Sequence, residues 1–375
     1  MVVRAPNHLG DLVMALPALE AAGPADILVA AAIAPLLAMA RVDGRVIPLV
    51  RGTRGVSRAV RALRHGHYTR GILLTPSFSS ALLFRLGGIP HRRGTPTDSR
   101  APLLTDLVTP STLTGLHRAE QYYILITGHR PPPSPIVIQK QHGENDEDSH
   151  YENHGEDHDE NHHDQIHHDD DAWHPPVSLV PRLVVPSTAQ TRWEELLGAT
   201  TATATNAPLV GLFPGSHAAS RRWEPARFAE LGARLANRGY RVVVFGGPRD
   251  RPITSQVAGH AAADLGGRTD LQLLAAGLAA CQFLVTNDSG PLHVATALGT
   301  PTISLWGAGD PRVTGPLGTR NHLLRHQELP CVPCTKNTCP RTGPGYRLRD
   351  AHNECLALIT VDDVETAIST YFTNL

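Results

Sequence analysis

Along most of the chain, short β-branched runs alternate with stretches whose apolar residues recur every three or four positions. This is the pattern of successive βαβ units on a parallel sheet. The second half is the clearer. Leu209–Phe213 reads as a strand, Pro214-Gly215-Ser216 as a turn, and Pro225–Asn237 as a helix with the apolar stripe Phe228, Leu231 and Leu235. Pro225 suits a first helical turn and Gly239 a helix end. Tyr240–Phe245 predicts the next strand and Gly246-Gly247-Pro248 its turn. A helix over Leu271–Ala280, a strand over Gln282–Thr286 that Cys281 opens as a buried core residue, a helix around Pro291–Leu298 and a strand over Thr302–Trp306 complete a doubly wound, Rossmann-like unit. The first half repeats the plan: Val2–Arg4, a helix from Asp11 with Leu12, Leu16 and Leu19 on one face, a strand near Ile27–Ala30, and Gly71–Thr75. Pro17 predicts a kink or a short first segment in that helix.

The pattern breaks between the halves. Residues 141–174 carry 13 Asp and Glu, 9 of the 21 His, and no Lys or Arg, and Pro131-Pro132-Pro133 precedes them. Almost nothing there can be buried to offset ordering entropy, so the stretch reads as a disordered linker or insertion, in which loose Zn²⁺ or Ni²⁺ binding competes with a plain solvated spacer. With 375 residues, about twice a typical domain, the chain divides into a first domain over 1–130, a linker over 131–180 and a second domain over 181–375.

The net charge of -1 hides that division. Without the acidic segment, 34 basic residues face 22 acidic ones, a surplus that favours anionic ligands such as nucleotides, phosphorylated sugars or lipid head groups. Only Lys140 and Lys336 are lysines, a skew of base composition, so an Arg here can stand where related chains carry Lys. The longest uncharged apolar run, Ile27–Ala40, contains Pro35 and is shorter than the ~18 residues of a membrane span. No cleavable leader is evident at the start, and a cytoplasmic protein is expected.

Three loops carry candidate chemistry. Asn7-His8-Leu9-Gly10-Asp11 lies where a strand ends and a helix begins, so Asp11 projects from the carboxyl edge of a sheet, where open α/β folds bind ligands. A helix N-cap and a catalytic carboxylate are both open readings for it. Thr286-Asn287-Asp288-Ser289-Gly290-Pro291-Leu292-His293 offers backbone N–H groups, hydroxyls and an imidazole to a diphosphate, with Asp288 fixing the loop or accepting from a ligand hydroxyl. In the third loop, Gly215-Ser216-His217 is followed by Ser220-Arg221-Arg222-Trp223, whose adjacent guanidiniums suit phosphate oxygens.

Four motifs in order make the resemblance specific: G-D-x-x-x-x-L-P at Gly10–Pro17, S-R-R-W at Ser220–Trp223, F-G-G-P at Phe245–Pro248 and N-D-S-G-P-L-H at Asn287–His293. Together with Gly88-Ile89-Pro90, His117 and Glu120, they resemble glycosyltransferase family 9, the ADP-heptose:lipopolysaccharide heptosyltransferases and their relatives, over nearly the whole chain except 131–180. The resemblance implies an α/β, GT-B arrangement of two Rossmann-like domains facing a central cleft. It implies inverting transfer of a heptose or related sugar from an ADP-sugar to a hydroxyl of a lipid-linked or oligosaccharide acceptor, with no cofactor required. Asp11 becomes the catalytic base. Ser216, His217, Arg221, Asp288, Ser289, Gly290 and His293 become the donor and diphosphate site, and Asn7, His8 and Gly10 line the acceptor side. Arg221 stands where the family has a phosphate-binding Lys, which keeps the charge and changes the geometry. The alternatives are a family member acting on another glycan or a protein, or a nucleotide-sugar- or metal-binding protein without transfer activity. Peripheral association with the inner face of the membrane is compatible with such an acceptor, and nucleic acid is not an expected partner.

One further cluster stands outside these motifs. Cys331, Cys334, Cys339 and Cys355, spaced C-x2-C-x4-C-x15-C, are candidates for a structural Zn or Fe site, against four reduced thiols with no metal.

Overall fold

The computed structural model describes residues 1–131, 179–200, 207–259, 263–318, 320–340 and 353–372. The acidic, His-rich stretch 141–174 lies outside the described residues.

The first domain runs β1 (Val2–Arg4), α1 (Leu9–Ala21), β2 (Asp26–Ala30), β3 (Val46–Leu49), α2 (Thr53–His65), β4 (Arg70–Leu73), α3 (Phe78–Leu86), β5 (His91–Gly94), β6 (Asp106–Leu107) and α4 (Arg118–Thr127). The second begins with α5 (Ser187–Thr200), β7 (Leu209–Phe213), α6 (Pro225–Asn237), β8 (Arg241–Gly246), α7 (Arg251–Ala258), β9 (Ala263–Gly266) and α8 (Leu271–Ala280). It continues with β10 (Phe283–Asn287), α9 (Gly290–Ala297), β11 (Thr302–Trp306), α10 (Pro311–Thr314), β12 (Asn321–Arg325), α11 (Glu354–Ala357) and α12 (Val361–Phe372).

Each domain contains one parallel six-stranded sheet, in the orders β3-β2-β1-β4-β5-β6 and β12-β11-β10-β7-β8-β9. Both orders reverse at the first strand, between β1 and β4 and between β7 and β10. The loops leaving those strands therefore open at the crevice where doubly wound sheets take ligands, and the two domains form the expected GT-B architecture.

Local sequence explains the elements. In α6, Pro225 starts the helix without wasting an N–H, and Phe228, Leu231 and Leu235 are wholly buried, each worth ~1.5–3 kcal/mol. Beyond Arg238, Gly239 takes φ 89°, which an L side chain resists. α1 departs from expectation. It starts at Leu9 rather than Asp11 and runs through Pro17 to Ala21 as one element. A proline inside a helix costs ~3 kcal/mol, and here every residue from Leu12 to Leu19 is buried, so packing from both domains offsets that cost. Cys281 ends α8 instead of opening a strand, and its buried thiol donates to the Gly277 carbonyl at 3.2 Å.

The domains share a core. Residues of α1 and α4 join residues of α8 and α9 in one apolar cluster, while α2 and α3 cover the opposite face of the first sheet with a separate one. The segment entering the second domain ties the two together: the Leu183 N–H donates to Ala297 O and the Val184 N–H to Met39 O.

Candidate active site

The first-domain side is built on β1 and α1. Arg4, buried at the end of β1, donates to the carbonyls of Ala5 and Leu28 and to the Asn7 side-chain oxygen, which fixes the loop before the helix. Burial draws its guanidinium down to about 10, so it stays charged at neutral pH. His8 is the N-cap residue of α1 and Asp11 sits inside the first turn. The capping reading of Asp11 is thereby corrected, because its side chain caps nothing. Instead, Asp11 Oδ1 accepts from the Tyr122 hydroxyl at 3.1 Å and lies 3.9 Å from the Arg118 guanidinium, with the Asp11 side chain 29% exposed. Burial raises the Tyr122 phenol well above its usual range, so its proton is retained and donated.

The second-domain side is a pair of loops stitched together. After β10, the Asn287 side chain donates to Pro214 O at 2.8 Å and accepts from the Trp223 N–H at 2.9 Å. Ser216 Oγ donates to Asp288 O at 3.1 Å, and Ser220 Oγ donates to Lys336 O. The two adjacent guanidiniums do different work, contrary to the expectation that both face a ligand. Arg222 turns back and donates from Nε to Ser216 O at 2.8 Å, whereas Arg221 lies 3.1 Å from Asp288 Oδ2. Burial pushes the Asp288 carboxyl up to about 6, with Arg221 pulling the other way; at 4% exposure desolvation outweighs the single partner. Ser289 is the N-cap residue of α9 and makes no capping bond with its side chain. Its hydroxyl lies 3.3 Å from that of Thr286.

The two halves meet at α1 and α9. A Cβ on Gly10 would lie 2.7 Å from His293 Cδ2, and one on Gly290 would lie 3.0 Å from Leu9 Cβ. Neither glycine has a positive φ, so close approach is what each provides. His293 is buried and drawn down to about 4, chiefly by desolvation against the opposing pull of Asp11, so it is neutral. His117 makes a second tie: its Nδ1 accepts from the Ala119 N–H in a capping box with Glu120, which leaves Nε2–H to donate to Gly315 O across the interface at 3.1 Å. Burial draws His117 down to about 3. The exposed rings of His8 and His217, one from each domain, are 6.2 Å apart.

Asp11, Gly10, His293 and Gly290 thus come together, with Arg221, Asp288, Ser216 and Ser289 beside them and Asn7, His8 and His217 at the rim. Tyr122 and Arg118 are additions to this set. The capping box at His117 and Glu120 was the signal that a helix begins there, but nothing in the sequence spacing aims Tyr122 at residue 11.

The cysteines are placed differently from a ligand set. None forms a disulfide, and among the described residues no group of His, Cys, Asp or Glu is arranged to hold a metal ion. Cys331, Cys334 and Cys339 are half-buried and share a patch with the buried Cys355, whose thiol is raised to about 11 by burial and then by the other three.

Residues 180–343 match the family model of glycosyltransferase family 9 (heptosyltransferase). The chain is 26% identical over 353 residues to lipopolysaccharide heptosyltransferase 2 of Salmonella typhimurium, covering 87% of each protein. The fold superposes on E. coli ADP-heptose LPS heptosyltransferase II with a TM-score of 0.71, at 24% identity over 99% of this chain and 97% of that one. It superposes on E. coli heptosyltransferase WaaC with ADP with a TM-score of 0.63, at 16% identity over 99% of both chains. With four sequence motifs, two matching sheets and a relative aligned along most of its length, the chain is similar to glycosyltransferase family 9 over most of its length.

Proposed function

We propose that the chain is an inverting glycosyltransferase that moves a heptose from ADP-heptose to a hydroxyl of a lipopolysaccharide-core-like acceptor. The observation that carries this reading is the Asp11 carboxylate, held by Tyr122 and Arg118 on one domain and facing the diphosphate-suited loops of the other. The relatives' names supply the sugar and the acceptor class, and a solved relative with ADP supports the nucleotide.

In this reading, Ser216, Ser289, the Gly290 N–H and Arg221 receive the diphosphate. Arg221 leaves Asp288 to do so, and the freed Asp288 accepts from a donor hydroxyl. The acceptor oxygen attacks the anomeric carbon from the face opposite the leaving ADP. Its bond to that carbon forms as the carbon–oxygen bond to phosphate breaks, and its proton passes to Asp11. Arg221 and the loop amides stabilise the charge that develops on ADP. An ionised aspartate is a weak base, so the proton moves late, once the attacking oxygen has become acidic. His293, neutral and wedged against Gly10, sets the spacing between base and donor.

The reading requires no cofactor for the transfer. Among the described residues, the four thiols share a patch but are not arranged as a ligand set, so a structural zinc or iron ion would have to draw them together. Elemental analysis of protein lacking 141–174, whose histidines would confound it, tests for such an ion. The domain boundaries 1–130, 131–180 and 181–375 are part of the same proposal. So is peripheral association with the inner face of a membrane, where a lipid-linked acceptor would stand. Among the described residues, no helix is long and apolar enough to cross one. The reaction is tested by mass spectrometry of a heptose-deficient acceptor incubated with ADP-heptose and other nucleotide sugars. A heptose-sized mass gain with ADP-heptose alone is expected; transfer only from another donor, or none, refutes the reading.

A further inference from the structure

One surface is left unused by the site. Residues 44–97 contain ten Arg and no Asp or Glu. Four of the ten are engaged internally: Arg45 pairs with Asp26, Arg93 with Asp106, Arg92 donates to the carbonyls of Leu103, Ile89 and Pro90, and Arg64 to that of Leu86. Arg51, Arg54, Arg58, Arg61 and Arg85 are exposed, and among the described residues none of them pairs with a carboxylate. The same surface carries five of the eight large apolar side chains exposed among the described residues: Val50 at 43%, Val56 at 43%, Phe78 at 42%, Leu82 at 36% and Leu86 at 45%. Phe78, Leu82 and Leu86 recur every four residues and form one stripe along α3.

These groups share one layer. α2 and α3 pack side by side on the sheet face away from the second domain, their carboxyl ends joined by Arg64 Nε donating to Leu86 O and by Gly87 against Leu63. In parallel βα units both helices run the same way, so their amino ends lie at the carboxyl edge of the sheet, the edge that carries Asp11. At that end, Asp98 is occupied in accepting the Phe78 N–H.

We propose that this outer face of α2 and α3, with the turn at Val50 and Arg51, docks on an anionic lipid bilayer. Guanidiniums with no carboxylate among them match lipid phosphates, and the stripe between them enters the acyl boundary, as in basic amphipathic surfaces that lie on membranes. A nucleic acid would meet the cations but leave the aliphatic stripe without a partner, and Phe78 alone is not a stacking platform. Docked in this way, the carboxyl edge of the first sheet stands beside the membrane, where a lipid-linked acceptor presents its sugar to Asp11. The inference gives a face to the peripheral association proposed above.

Sedimentation of the full chain with vesicles, without donor or acceptor, tests it apart from the transferase reading. Binding is expected to phosphatidylcholine vesicles containing phosphatidylglycerol and not to phosphatidylcholine alone, and it weakens with salt. The triple variant Arg58→Glu, Arg61→Glu, Arg85→Glu should bind about 100-fold less, and Leu82→Ser with Leu86→Ser about tenfold less. Both should keep the wild-type melting temperature and transfer to a deacylated, soluble acceptor. Absence of binding by the full chain, or wild-type binding by both variants, overturns the proposal. Loss in the Arg variant alone also overturns it and assigns the face to a soluble polyanion such as nucleic acid.

Discussion

Gly10→Ala separates domain geometry from folding. Gly10 lies in the helical first turn of α1 without a positive φ, so alanine suits its backbone and adds ~0.5–1 kcal/mol of helix preference. The new Cβ, however, falls 2.7 Å from His293 Cδ2, 3.3 Å from its Nε2 and 3.5 Å from Gly290 Cα. Carbon atoms rest ~3.5–4.0 Å apart, so α1 must retreat from α9 by somewhat less than 1 Å, because buried His293 cannot swing clear. A misplacement on that scale between base and donor costs ~10²-fold in rate. In a coupled ADP-release assay, kcat should fall about 10- to 100-fold. The melting temperature should hold, and so should ADP affinity, since Ser216, Arg221 and Ser289 all lie in the other domain. Truncating the obstacle provides the control: in a His293→Ala background, the same change at Gly10 should cost little further activity. A normal kcat for Gly10→Ala, or an undiminished loss in the His293→Ala background, would refute the reasoning.

Other predictions follow from the same contacts. Tyr122→Phe removes a donor to the Asp11 carboxylate; kcat should fall by about tenfold while KM for the donor holds, and an unchanged kcat would make Tyr122 simply packing. Arg221→Ala should weaken ADP by ~1.5–3 kcal/mol in calorimetry, and equal affinity would remove Arg221 from the site. Acid should destabilise the fold between about pH 6 and 4. His117, His293 and His322 titrate at about 3, about 4 and about 4 when folded and each takes up a proton on unfolding, whereas Asp288, raised to about 6, releases one. The net uptake is near two protons, so stability should fall by ~2.7 kcal/mol per pH unit in that window, and melting temperatures that rise toward acid would contradict it.

The limits of sequence reading can be located in particular elements. α6 and β11 occupy the spans their periodicity predicts, because a buried stripe and flanking Pro and Gly residues are local signals. β3, β5 and β6 escaped notice: they are two to four residues long, and His91–Gly94 reads as polar until Arg92 is seen donating to carbonyls. The run through Pro17 depends on a second domain that local sequence does not reveal. At the site, the motif loops were legible as loops, but the partners within them were not. Asp11 reads as a cap until Tyr122, 111 positions away, is found against it, and Arg221 and Arg222 look equivalent until one turns to Ser216 and the other to Asp288.

The central claim is that Asp11 takes the acceptor proton. The most direct test is single-turnover transfer from ADP-heptose by Asp11→Asn, with ADP affinity measured on the same preparation. The substitution is nearly isosteric and can still accept from Tyr122, so binding should hold while turnover falls by ~10²-fold or more. Turnover near that of the wild type, with ADP still bound, would mean that Asp11 is not the base.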